Sequence, residues 1–188
     1  MSTALYRYEN GLFTIEDPSI GISLAEAVSG AEEQTTSRSH GGVLTKSFYC
    51  DGVLHGPSKT YFRDGSLSSE RWFYRGLPHG RSLFFSGSGT LVAKKSYCNG
   101  LLTGPYELFF PSGKPHLKGS FANGYPHGLF VLLAEDGKDL RTTCFVDGRR
   151  SGFDSGWTDD GYPLFCELWH NGERVRAILP DILSKNIE

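Results

Sequence analysis

Seventeen of the 24 glycines in this chain keep one period. Gly52, Gly76, Gly100, Gly124, Gly148 and Gly172 stand 24 residues apart. Gly56, Gly80, Gly104, Gly128 and Gly152 follow them by four positions, and Gly41, Gly65, Gly89, Gly113, Gly137 and Gly161 make a third series. Self-similarity at this spacing marks an array in which one supersecondary unit is copied and stacked on its neighbours. A chain of 188 residues organised this way is one short array and not two ordinary globular domains.

Other positions share the period. Three residues before the first glycine stand Tyr49, Phe73, Tyr97, Phe121, Phe145 and Trp169, all aromatic. Five residues after the second glycine come Tyr61, Phe85, Phe109, Leu133 and Trp157, with Leu133 the one departure. Asp, Asn or Arg precedes the first glycine and Asp or Ser the third from Gly65 on, and Asn-Gly and Asp-Gly favour turns with positive φ. Two turns per repeat bound segments such as Leu44 to Tyr49 and Ser58 to Phe62, which are too short for helices and rich in aromatic and β-branched residues. Each repeat therefore reads as a β-hairpin. The expected fold is all-β, a single-layer antiparallel β-meander of repeated 24-residue hairpins, with about ten to twelve strands spanning roughly 50 Å at about 4.8 Å per strand. A single layer has no second sheet to pack on, so the periodic aromatics are expected to form ladders that supply the burial and double as a candidate binding surface. The low hydrophobic content, 38%, agrees with that economy of core.

The chain divides into three parts on this reading. Residues 1–40 hold a degenerate hairpin, marked by Tyr8, Asn10 and Gly11, and then a polar linker, AEEQTTSRSH from Ala31 to His40. Residues 41–175 hold six repeats, the last partial. Residues 176–188 form a C-terminal cap, a short helix expected from Pro180 with Ile182, Leu183 and Ile187, placed to protect the last strand edge.

The pattern aromatic-x-[ND]-G-x-x-H-G, an aromatic five residues on, then [DS]-G-x-L, resembles the MORN repeat in its bacterial variant form. It covers residues 41–175, and its clearest copies are SSERWFYRGLPHGRSLFFSGSG from Ser68 and AKKSYCNGLLTGPYELFFPSG from Ala93. These look similar to the YwqK-type antitoxin family. The resemblance implies an elongated β-meander acting through protein contacts or lipid contacts, and it carries no catalytic residues. The last repeats depart from the pattern, with Arg149 and Arg150 beside the turn, Ser151 in place of His, and Pro163.

No catalytic, metal-binding or cofactor-binding set emerges. His55, His79 and His127 recur at one repeat position, but equivalent positions lie about 9.6 Å apart across two strand spacings. Zinc ligands sit about 2 Å from the ion, so these histidines are read as hydrogen-bonding supports of the turns. His40, His116 and His170 belong to no motif. Cys50 and Cys98 share a repeat phase at about 19 Å, beyond the roughly 7 Å Cα separation that a disulfide spans. With Cys144 and Cys166 they are expected to be reduced thiols in a cytosolic protein. The opening MSTALYRYENG lacks the features of a secretory signal, and no apolar run reaches the roughly 18 residues of a membrane span. Neither G-x-S-x-G nor a phosphate-cradling G-K-[ST] occurs, Asp159 and Asp160 are read as turn residues, and Trp157 and Trp169 as ladder members.

The functional expectation is a non-enzymatic protein-interaction module with an unidentified protein partner, antitoxin-like neutralisation of that partner being its family-level form. A scaffold or a secreted effector would use the same surface. The alternative is a peripheral phospholipid binder, which the sparse basic pairs Lys94 with Lys95 and Arg149 with Arg150 serve poorly. Homo-oligomerisation through sheet edges is a third reading. A formal charge of -2 argues against nucleic acid as a partner.

Overall fold

The computed structural model describes residues 5–9, 12–17, 22–24, 32–39 and 41–178. The chain forms two bodies, Met1–Gly104 and Pro105–Glu188. Both consist of antiparallel strands in chain order, the single-layer meander expected from the glycine period.

In the first body, β1 (Leu5–Glu9), β2 (Leu12–Asp17) and β3 (Ile22–Leu24) make a small sheet of their own. The meander then runs through β4 (Glu32–Ser37), β5 (Val43–Cys50), β6 (Val53–Tyr61), β7 (Leu67–Tyr74), β8 (Leu77–Phe85) and β9 (Leu91–Cys98), with β10 (Leu101–Leu102) paired to β9. In the second body it runs through β11 (Gly104–Phe109), β12 (Pro115–Ala122), β14 (Gly128–Leu133), β15 (Asp139–Val146), β16 (Arg149–Trp157), β17 (Pro163–His170) and β18 (Glu173–Ala177). The short β13 (Tyr125–Pro126) pairs with β12.

Within the polar segment expected as a linker, residues 32–37 form a strand. Glu32–Ser37 pairs with β5 from Glu32↔Tyr49 to Ser37↔Val43, every residue exposed, as an edge strand carrying charge and threonines. It is followed by the turn of the third glycine series, in which Arg38 N–H donates to Gly42 O at 2.9 Å and Gly41 N–H to Arg38 O at 3.0 Å. The Arg38 guanidinium clamps this turn through Val43 O (3.0 Å) and Tyr61 O (2.7 Å). At the other end, β18 continues to Ala177, two residues into the expected cap, whose helix falls outside the described residues from 179 on. Strands exceed the ten to twelve expected because β1 to β4 precede the counted repeats and because the return strand is cut in two at β10/β11 and β13/β14.

The two turns of each repeat differ. At the first glycine both central residues have positive φ, for example Asn99 at 47° and Gly100 at 85°, between the paired residues Cys98 and Leu101. That is a two-residue type I′ hairpin, matched to the strand twist. At the third glycine only the glycine is left-handed, closing a longer turn of type I followed by a bulge. There Asp64 accepts from Ser66 N–H at 2.9 Å and Asp136 from Lys138 N–H at 3.0 Å, which explains the acidic residue beside that glycine.

The second glycine sits inside a strand at a register shift. Ser47 faces Ser58 and Tyr49 faces Leu54, so one residue on β5 opposes three on β6, His55 to Pro57. Gly56, at φ 99°, is what lets the strand fold through that bulge. The same shift recurs between β7 and β8 and between β15 and β16.

Core formation is sparse. Among the described residues the fully covered apolar side chains are Trp72, Phe73, Ala93 and Leu133, joined by the polar Ser47, Ser69, Ser82, Ser96, Thr143, Asp154 and His79. In the second body Tyr106, Phe121, Phe130 and Phe145 form a continuous chain of tilted and edge-on rings with centroid separations of 5.1, 5.6 and 5.3 Å.

Candidate functional site

The features that gather polar and exposed apolar side chains lie along the row of type I′ turns and in the strands beneath it. A type I′ turn leaves the N–H groups of its two central residues without partners inside the hairpin. At the turns of Asn99 and Asp147 the preceding repeat supplies both, and at Gly172 it supplies the glycine's. Gly100 N–H donates to Pro78 O at 2.8 Å, Gly148 to Pro126 O at 2.9 Å, and Gly172 to Arg150 O at 2.8 Å. The other N–H goes to the periodic histidine, since Asn99 N–H donates to His79 Nδ1 at 3.3 Å and Asp147 N–H to His127 Nδ1 at 3.5 Å. The bulge at the second glycine is what aims each histidine at the next turn. An Nδ1 that accepts is unprotonated, so His79 is the neutral Nε2–H tautomer. Burial pushes its pKa down, and the side-chain contact with Asn99 only partly opposes that.

The residue after each first glycine lies over the glycine of the next turn. Val53 covers Gly76, Leu77 covers Gly100, Tyr125 covers Gly148 and Arg149 covers Gly172. Their outer surfaces stay bare: in the first body Val53, Leu77 and Leu101 are 45%, 49% and 52% exposed.

In the second body, Ser151 stands at the repeat position that His55, His79 and His127 hold in three other repeats and Thr103 in a fourth. A cleft of about 450 Å³ opens beside it, lined by Val146, Asp147, Arg149, Ser151, His170 and Asn171. Arg149 Nη1 donates to Asn171 Oδ1 across it at 2.9 Å.

Below this cleft lies a cluster that the sequence reading passed over. Asp154, 1% exposed, takes the strand position that Phe130 holds one repeat earlier. It accepts from Arg141 Nε (2.9 Å) and Nη2 (2.7 Å) and from Thr143 Oγ1 (3.0 Å), with Arg150 Nη1 at 3.3 Å. Burial raises its pKa, but the hydrogen bonds from Arg141 and Thr143 and the charges of Arg141 and Arg150 together outweigh burial and hold the carboxyl below the ordinary range. Next to it Glu167 accepts from Trp169 Nε1 at 3.1 Å and Arg174 Nη1 at 2.9 Å. An ionised carboxylate with its lone pairs so occupied is an anchor for arginines and has no capacity left to act as a general base.

The ladder residues named from sequence are distributed as follows. Phe121 and Phe145 are joined through Phe130, a ring at an unlisted repeat position shared by Ser58, Ser82, Tyr106 and Asp154. Phe73 is buried under the Arg71 guanidinium, 5.0 Å from the ring centre, and Trp169 lies under Arg150 at 4.7 Å. Tyr49, Tyr61, Phe85, Tyr97, Phe109 and Trp157 are half-buried. Cys50, Cys98, Cys144 and Cys166 are half-buried and unbridged. His116 packs on Phe110 at 4.2 Å, and Asp159 and Asp160 sit in the turn closed by Thr158 and Tyr162. Among the described residues no group of three or more His, Cys, Asp or Glu side chains is placed to hold a metal ion.

Two segments, residues 54–75 and 102–123, match the family model described as MORN repeat variant. Each spans the return strand, the third-glycine turn and the next aromatic strand up to the type I′ turn, which is one repeat of the meander. No curated protein matches the chain.

Proposed function

We propose that the chain is a non-enzymatic protein-interaction module of MORN type, binding a partner protein along its turn edge. The observation that carries this reading is the periodic apolar row of Val53, Leu77 and Leu101, half bare to solvent although Val53 and Leu77 already pack on the glycine of the next turn. Apolar side chains repeated at one edge of a β-array form a surface that gains free energy when a protein covers it. Neutralisation of a toxic partner is the finer form of this proposal, supported by the likeness of residues 68–113 to the YwqK-type antitoxins.

Lipid attachment has less support from the arrangement of charge. Lys95 lies over Phe84, Arg150 is tied to Asp154 and Trp169, and Arg149 to Asn171, so these basic residues are engaged within the chain. Affinity capture with the tagged protein from its native host, read by mass spectrometry, tests the proposal. A single polypeptide retained at stoichiometric level is expected, and its toxicity when expressed alone would establish the finer form. Recovery of the bait alone, with sedimentation on anionic vesicles at low salt, would overturn it in favour of lipid binding.

A further inference from the structure

We infer that the cleft beside Ser151 is a socket for an imidazole ring supplied from outside the chain, a histidine side chain of a bound protein. It rests on the proposed function only for the source of the ring.

The chain itself shows what belongs in this place. At two equivalent turns an imidazole from the preceding repeat accepts the N–H of the first turn residue, with that residue's side-chain oxygen 3.2 Å away at Asn99 and 3.3 Å away at Asp147. The turn at Asn171 and Gly172 has the same geometry, φ 50° and 88°, and its glycine N–H is satisfied in the same way by Arg150 O. What the preceding repeat lacks here is the imidazole, and the ring of His170, which also lines the cleft, does not accept from Asn171 N–H. Ser151 is too short to reach, and among the described residues no side chain accepts from Asn171 N–H. The amide donor and the Asn171 side chain are therefore both retained, beside a cleft wide enough for a ring.

The rest of the lining suits a ring more than an anion. Arg149 already donates to Asn171, and the Asp147 carboxylate faces the same cleft and repels a second carboxylate. Val146 provides an apolar wall for the ring face. The volume, about 450 Å³, exceeds a lone imidazole and leaves room for the backbone that would carry it.

The test uses free imidazole and acetate as probes of the intact chain, followed by amide NMR. Imidazole is expected to shift the Asn171 and Ser151 amides with half-saturation on the order of millimolar, as befits a five-atom ligand. The Ser151→His variant, carrying its own ring, should lose that response and unfold at a higher temperature. As a positive control, His127→Gly should open a second socket and gain an imidazole-dependent shift at Asp147. Equal response in wild type and Ser151→His, or binding of acetate without imidazole, would overturn the inference. These readouts need no partner, so the socket can fail while the interaction module stands. If captured partners bind wild type and Ser151→His equally, the ring does not come from them.

Discussion

Asp154 is the residue whose replacement tells most about how this sheet is held. Its carboxylate is covered, while its arginine partners Arg141 and Arg150 are 39% and 38% exposed and can regain water. Asp154→Asn is therefore expected to lose about 2–3 kcal/mol, the lower side of what breaking a buried pair costs, measured by urea unfolding at pH 7. The pH dependence has a definite sign. A carboxyl held below its ordinary value in the folded chain contributes stability that is present above about pH 4 and is lost as pH falls through the folded pKa, and Asp154→Asn should flatten that acid limb. His79 acts in a different window. Its folded pKa is lowered, so its contribution is complete above about pH 6.5 and declines below it. The urea midpoint should drop between pH 8 and pH 5.5, and less so in His79→Gln, which cannot protonate. Neither effect was visible from residue type. Asp154 shares its repeat position with Phe130 and Tyr106, and only tracing that position, between the two aromatic series, would have exposed a charge inside a ladder.

At the scale of the strand, two glycines outside the periodic series have a defined use. Gly119 on β12 lies under the Phe130 ring and Gly156 on β16 under Phe165, so that a Cβ at either place would collide with the ring. A residue without a side chain lets the ring lie flat on the backbone of the neighbouring strand, and this holds Phe130 between Phe121 and Phe145. Gly119→Val should displace Phe130 and cost about 1–3 kcal/mol by thermal or urea unfolding, with loss of the near-ultraviolet dichroism of the ring chain. An unchanged midpoint would show that the rings do not support the sheet. The hairpin character and the turn positions were legible, because a period of 24 repeats the same backbone demand at each place, whereas the second glycine series showed its period and not its bulge. Strand β4 was missed, although Gly41 begins the third series and that turn requires a strand before it. The polar composition of Glu32–Ser37 concealed it, as an edge strand exposed on both faces shows no alternation. The direction in which the periodic histidines reach could not be read, because it depends on the bulge and on the turn of the next repeat.

For the molecule as a whole, each body has the same construction: a meander one layer thick, a thin core, and a row of turns whose glycine amides donate to the preceding repeat. Such an array places its stability in contacts between neighbouring repeats, which leaves the outer surfaces of the turn residues free to vary. The apolar row in the first body uses that freedom. Replacing Leu77 and Leu101 together by lysine keeps a methylene stem over the turn at Gly100 while charging the surface a partner would meet. The double variant should unfold within about 0.5 kcal/mol of wild type, as exposed substitutions do. The decisive measurement is the retention of the native partner by wild-type and Leu77→Lys/Leu101→Lys protein side by side. At least a tenfold loss with the fold intact is the predicted result, and full retention by the folded variant would contradict binding through the turn edge.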